Sequence, residues 1–175
     1  FTFGDLQDQG YSPLAIRYLL LSVPYRKQLN FTFEGLQGAE ATVERLRNFR
    51  SLVQEARVED GSDPDVATTI VKALAEFESG MDDDLNTAEA LAAVHNLVRE
   101  INTVLAAGKL RGDDRVAVLE AIGSFDSVLG IFGKEEQMIL DTEIEALIEE
   151  RQEARRNRNF GRSDEIRDRL AEKGI

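Results

Sequence analysis

The 175-residue sequence contains no cysteine. Disulfides, thiolate metal sites and a cysteine nucleophile are therefore excluded. Histidine occurs once, at His95, so a histidine-rich metal site or a Ser/His/Asp triad would rest on a single residue. No stretch approaches the about 20 consecutive apolar residues of a membrane span. The opening residues, Phe1-Thr2-Phe3-Gly4-Asp5, have neither the basic nor the apolar region of a secretory signal. A starting Met is also missing, which suggests a fragment or a processed chain. Phosphate-cradling loops of the GxGxxG and GxxxxGK types are absent, as is a nucleophile elbow. Positive charge is scarce: 21 Lys and Arg face 33 Asp and Glu, for a formal net charge of −12. That balance favours solubility and opposes bulk nucleic-acid binding, DNA included, without excluding a local basic face.

What is present is helical patterning. The hydrophobic fraction of 42% is ordinary for a globular chain, and a chain of this length typically buries roughly 70% of its unfolded surface. Thr2 can cap a short helix ending at Gly10. Ser12 followed by Pro13 is a second start signal, and Leu14 to Leu21 reads as a buried helix stopped by Pro24. The segment from Tyr25 to Phe31 reads as an extended connection. Thr32 opens a long helix to about Arg57, with Leu36, Ala39, Val43, Leu46, Phe49 and Val53 on one stripe. The next helix carries Val66, Ile70, Ala73, Leu74 and Phe77, and Gly80 is expected to end it. A helix from Asn86 or Thr87 to about Ala107 turns Leu91, Val94, Val98, Ile101 and Leu105 inward. Gly108 and Gly112 bracket a turn before a helix from Asp113 to Leu129, closed by Gly130. Beyond Gly133 the character changes. Thr142 and Glu145 form a capping box for a helix to about Arg158, and Asn159 caps a last helix ending at Gly174. The expected organisation is residues 1–32 as connector and first helices, 33–132 as a helical bundle and 133–175 as a helical hairpin. The fold class is all-α, an antiparallel bundle followed by that hairpin.

Three constellations could carry chemistry. Asp82-Asp83-Asp84 offers oxygen ligands for a divalent cation, but its spacing fits no calcium loop, and these side chains suit the positive N-terminus of the following helix. His95 falls beside Leu91, Val94 and Val98, as a packed or rim histidine does. On the helix from Thr142, the face begun by Ile144, Leu147 and Ile148 continues as Arg151, Arg155 and Arg158. Arg156 and Arg162 add charge near the hairpin turn. This basic stripe can hold phosphates; equally, its stems can lie on the core and its heads pair with acidic neighbours. A smaller basic group is Arg17, Arg26 and Lys27. No catalytic residues and no metal ligands are visible in the chain.

Four strings, in order, carry a family resemblance. Ser12-Pro13-Leu14-Ala15-Ile16-Arg17-Tyr18 resembles the D-x-x-A-[LI]-R signature of helical tRNA-binding domains in class I aminoacyl-tRNA synthetases. Tyr25-Arg26-Lys27-Gln28-Leu29-Asn30-Phe31 resembles the H-Y-R-x-x-L-N-[FY] string of the cysteinyl-tRNA synthetase family. Met81-Asp82-Asp83-Asp84-Leu85-Asn86-Thr87-Ala88-Glu89-Ala90-Leu91 is similar to that family's M-D-D-D-F-N-T-P-E-A-L. Arg151, Ala154 and Arg155, with Asn159-Phe160 and Asp164-Glu165-Ile166-Arg167-Asp168, resemble its closing hairpin. Ser12 replaces an Asp, Pro24 a His and Ala88 a Pro of the family pattern.

The resemblance implies a helical bundle of the class I synthetase anticodon-binding type and a truncated anticodon-binding hairpin. It implies a parent enzyme that attaches cysteine to its tRNA, in the cytoplasm, using ATP and zinc on a catalytic domain whose H-I-G-H and K-M-S-K-S motifs are missing here. This region would begin just after that domain and be inactive alone. It would need no cofactor and would touch tRNA for cysteine through Arg151, Arg155, Arg156, Arg158, Arg162, Arg26 and Lys27, with no membrane or DNA partner. Two alternatives stand beside it: part of a related ligase that joins cysteine to an amino sugar, and a non-enzymatic helical interaction module.

Overall fold

Side-chain oxygens that accept backbone N–H groups mark where the helices start. Thr2 accepts from Asp5 at the head of α1(Phe3–Asp8), and Ser12 accepts from Ala15 at 3.1 Å at the head of α2(Pro13–Leu21). Thr32 receives the Gly35 N–H at 3.0 Å before α3(Phe33–Glu55), and Asp63 that of Asp65 at 2.9 Å before α4(Pro64–Asp82). Asn86 does the same for α5(Thr87–Ala106). Each oxygen satisfies a donor that the helix itself leaves unpaired. The remaining elements with defined bounds are α6(Gly112–Leu129) and α7(Phe160–Glu172).

The structure is a computed structural model that describes residues 2–133, 146–151, 153, 154, 156 and 160–172. Among these residues there is no strand; residues 146–151, 153, 154 and 156 are helical. The chain divides into two compact units, Phe1–Phe132 and Gly133–Ile175.

In the first unit, α4 packs along α5, α2 packs on the start of α3, and α6 closes against α3 and α4. The α3 stripe is buried as its spacing predicts, from Leu36 to Val53. Its later part, Leu46, Phe49 and Val53, meets Ile70 and Phe77 of α4, Leu97 and Ile101 of α5, and Ile122 and Phe125 of α6 in one continuous core. Phe77 and Phe125 pack ring against ring, with centroids 4.8 Å apart. A smaller cluster of Leu6, Ile16, Leu19 and Leu36 seats α1 and α2. Burial of this kind supplies most helix stability in proteins. On α5 the inward side includes Leu97 as well, while Val98 and Leu105 are only partly buried.

Gly80 does not end its helix. The helix runs on to Asp82, and Gly80 lies against α5 instead: a Cβ there would sit 2.9 Å from the Ala90 backbone nitrogen. The missing side chain is what lets the two backbones approach so closely. The chain then reverses through Asp84 and Leu85, both at positive φ (55° and 56°). The Asn86 N–H returns to the Gly80 carbonyl at 2.9 Å and the Leu85 N–H to the Met81 carbonyl at 3.1 Å. These bonds cap α4 without the usual glycine.

The segment after α2 is also not simply extended. Pro24 to Lys27 form a turn, with the Lys27 N–H on the Pro24 carbonyl at 2.8 Å. Proline's fixed φ suits a turn as readily as an extended strand.

Asp114 is a charged residue with only 3% of its surface exposed. Its carboxylate accepts the Asp63 N–H at 3.0 and 3.1 Å and the Arg111 N–H at 3.2 Å. One side chain thus ties the start of α4 to the start of α6. At the other end of α6, Gly130 takes φ 61°, and Arg17 reaches over it toward the Leu129 carbonyl at 3.5 Å. A cation there complements the negative end of the helix.

Candidate nucleic-acid interface

The residues predicted to touch RNA fall into two groups. In the second unit a small core of Leu147, Ile166 and Leu170 holds the helical residues 146–151, 153, 154 and 156 against α7. Ala154 and Ser163 are buried as well. The inward line on the first of these helical stretches is therefore Leu147, Arg151 and Ala154, spaced four and three. Ile148, placed inward by its spacing from Ile144, is 38% exposed.

Arg151 sits in that inward line and is half-buried. Its Nε is covered and has no hydrogen-bond partner among the described residues. Arg156 is exposed. Arg162 is engaged instead: its Nε donates to Glu150 Oε1 at 2.9 Å and its Nη1 to Glu165 Oε2 at 3.0 Å. Those two carboxylates raise its pKa further, first through the bonds to Glu150 and then to Glu165. Arg167 pairs with Asp164 at 3.0 Å. Arg155 and Arg158, with the capping box at Thr142 and Glu145, lie outside the described residues. The stripe thus divides by role. Arg162 braces the hairpin, and Arg151 keeps a covered, unsatisfied donor.

The second group lies at the turn after α2. Arg26 Nε is 2.9 Å from Asp84 Oδ2, and its Nη2 donates to Asp84 Oδ1 at 3.1 Å. Tyr25 donates its hydroxyl hydrogen to the same carboxylate at 3.0 Å, and the Arg26 guanidinium lies 5.4 Å from the Tyr25 ring centroid. Lys27 is exposed. Two constellations that the sequence kept apart, the basic turn and the acidic triplet, are therefore one. Asp84 faces Arg26 rather than the N-terminus of α5, and Asp83 lies 3.5 Å from the Asn86 side-chain amide. No group of residues able to hold a metal ion occurs among the described residues.

His95 is a rim histidine. Its Nε2 and the Tyr18 hydroxyl share a hydrogen bond of 2.7 Å. Partial burial, and then the charge of Arg45, push its pKa below the ordinary 6.5. Burial likewise raises the Tyr18 pKa above 10.0.

Ala154 and Glu165 entered the sequence reading only as letters of the hairpin string, and no structural role was read for them or for Glu150. Arg162 and Glu165 do stand three apart on α7, a spacing that brings side chains together. Glu150 carried no such signal, because it reaches Arg162 across the hairpin.

Comparison with known proteins places these elements. Residues 76–133 match the DALR domain, and residues 139–175 match the cysteinyl-tRNA ligase anticodon binding domain. The Ser12 to Tyr18 string lies outside both matches. A cysteine–tRNA ligase from Solibacter usitatus is 41% identical over 177 residues, covering 100% of this chain and 38% of that protein. The cysteine–tRNA ligase of Shouchella clausii is 42% identical over 171 residues, covering 95% of this chain and 37% of that protein. One from Koribacter versatilis is 36% identical over 205 residues, with 100% and 41% covered. The chain spans well under half the length of these curated relatives.

Proposed function

We propose, from the premise that the chain belongs to the cysteinyl-tRNA ligase family, that it is the helical region with which such an enzyme grips tRNA for cysteine. The observation that carries this reading is Arg151: a half-buried guanidinium with an unsatisfied Nε, inside the stretch similar to an anticodon-binding domain. Burying a donor without a partner is costly, and a phosphate or a base edge of RNA supplies an acceptor. Arg156, exposed on the same helix, adds charge to the phosphate backbone. Arg162, fixed by Glu150 and Glu165, holds the two helices of the hairpin at the spacing that presents Arg151. Phosphate contacts set position, whereas base reading needs unstacked anticodon bases.

The parent enzyme would attach cysteine to that tRNA in the cytoplasm, with ATP and zinc bound on a catalytic part outside these residues. The residues here do not fit zinc, since the chain has no cysteine and a single histidine. The likeness of residues 139–175 to an anticodon-binding domain favours this reading over a cysteine to amino-sugar ligase. No described helix is long and apolar enough to cross a membrane.

The test is tRNA binding across a salt series, by the full-length enzyme and by this chain. Arg151→Ala and Arg156→Ala should weaken binding, and each lost phosphate contact should reduce the slope of log affinity against log salt by about 0.7–0.9. Unchanged affinity and slope in both variants would remove the assignment.

A further inference from the structure

The seam between α3 and α5 gathers polar groups that tRNA gripping by the hairpin does not use. A pocket of about 270 Å³ opens there, with Arg45 and Asn48 from α3 facing His95 and Asn102 from α5 over an apolar floor that includes Phe49 and Val98. Its described lining contains no Asp or Glu. Arg45 donates to the neutral Thr42 hydroxyl at 2.9 Å and has no carboxylate partner among the described residues. It differs in this from Arg26, Arg99, Arg111, Arg162 and Arg167, each paired with a carboxylate. Arg17 and Arg115 also lack a carboxylate partner among the described residues, but their guanidinium groups reach the backbone carbonyls of Leu129 and Ala56, at 3.5 and 3.3 Å, whereas that of Arg45 borders the pocket.

We propose that this pocket is a binding site for a phosphate group. The guanidinium fork of Arg45 and the amide groups of Asn48 and Asn102 supply more donors than the two oxygens of a carboxylate can use, and phosphate offers three terminal oxygens. His95, held on one side by Tyr18, borders the same space. Through Leu52 and Asn102 the pocket runs into a groove of about 480 Å³ lined by Ala56, Val58, Leu105 and Leu110. An apolar or aromatic body attached to the phosphate has room there. A small phosphomonoester offers all three terminal oxygens; an RNA backbone phosphodiester offers two and shares the negative charge and the hydrogen-bond acceptors. The site stands independently of the anticodon hairpin, in the other unit of the chain.

Binding has a built-in reporter. The titratable groups acting on His95 are Arg45 from α3 and Tyr18 from α2; the other pocket residues of α3 and α5 are uncharged, and α4 and α6 contribute none. A phosphate between Arg45 and His95 offsets the repulsion that disfavours the imidazolium. His95 is the chain's only histidine, so its Cε1–H proton gives one NMR signal. Titrating that signal at matched ionic strength, with chloride and then with inorganic phosphate, should raise the His95 pKa by about one unit at saturation. Arg45→Ala should weaken the phosphate response about tenfold, while Lys72→Ala, an equal charge loss on α4, should leave it unchanged. Circular dichroism on each variant verifies folding. Phenyl phosphate and a single-stranded RNA form two further arms, and whichever saturates at lower concentration identifies the source. A His95 titration indifferent to phosphate, or a response equal in Arg45→Ala, overturns the site.

Discussion

The two units of this chain are held together in different ways. The first has a continuous core drawn from α3, α4, α5 and α6, with Phe125, Ile101 and Val53 each 0% exposed. Among its described residues the second has a buried cluster of three apolar side chains, Leu147, Ile166 and Leu170, beside ion pairs such as Arg162 with Glu150. Apolar burial is strong and insensitive to salt, whereas exposed ion pairs contribute little and are screened. The first unit has ion pairs as well, such as Arg26 with Asp84, but its core rests on apolar contacts. The small second unit spends part of its basic surface on its own integrity. Arg162 braces the hairpin, and fewer arginines are left to meet a ligand.

The largest effects should come from cutting into each core. Phe125→Ala should destabilise the first unit by about 3–5 kcal/mol, seen as a lower denaturation midpoint by circular dichroism. Ile166→Ala should cost about 2–5 kcal/mol in a unit with far less to lose. That variant should lose the hairpin's helical signal while the first unit's transition persists. One common transition that shifts equally in both variants would erase the contrast between the units.

Gly80→Ala tests how closely the first unit is packed. Its new methyl would meet the Ala90 backbone at 2.9 Å, and overpacking of this kind costs about 1–3 kcal/mol. A variant as stable as the parent would show that α4 and α5 can separate freely. Leu85→Gly has the opposite sign. Leu85 sits at φ 56° and is 54% exposed, so glycine relieves strain without removing core. Stability should rise by about 1 kcal/mol; a fall would mean that the exposed leucine is packed after all.

The smallest effect concerns pH and belongs to the first unit alone. His95 has a folded pKa below its ordinary 6.5, because of burial and then Arg45. The unfolded chain therefore binds the proton more readily, and stability increases with pH across the window just below 6.5. Its contribution is present above that value and is lost as pH falls toward the folded pKa. Denaturation midpoints measured down that window should decline for the parent protein and less so for His95→Gln. Parallel declines would assign the effect to other groups.

Much of the fold was legible from local patterns. The caps at Thr2, Ser12, Thr32 and Asn86 lie where the sequence places them, because a cap acts within three residues of itself. The α3 stripe was readable because helical periodicity is local too. Gly80 misled, since a glycine that ends a helix and a glycine that admits a neighbouring backbone look alike in sequence. The candidate site was legible by residue type only. Arg26 and Asp84 lie 58 residues apart, and nothing local announces that one neutralises the other. Ile148 was assigned inward by a rhythm that the hairpin follows instead through Leu147, Arg151 and Ala154.

By itself the sequence determined the helical class, most helix starts, the inward stripes and the kinship carried by its strings, since each depends on neighbours within a turn or two or on a string of adjacent residues. Only the tertiary structure decided which charges are spent and which are free. It set Arg162 between two glutamates, Arg26 against Asp84 and Asp114 beneath two helix starts. It also left Arg151 with a covered, unpaired donor and Arg45 without a carboxylate among the described residues. Charge neutralisation depends on distance in space, and distance in space is settled when the helices pack.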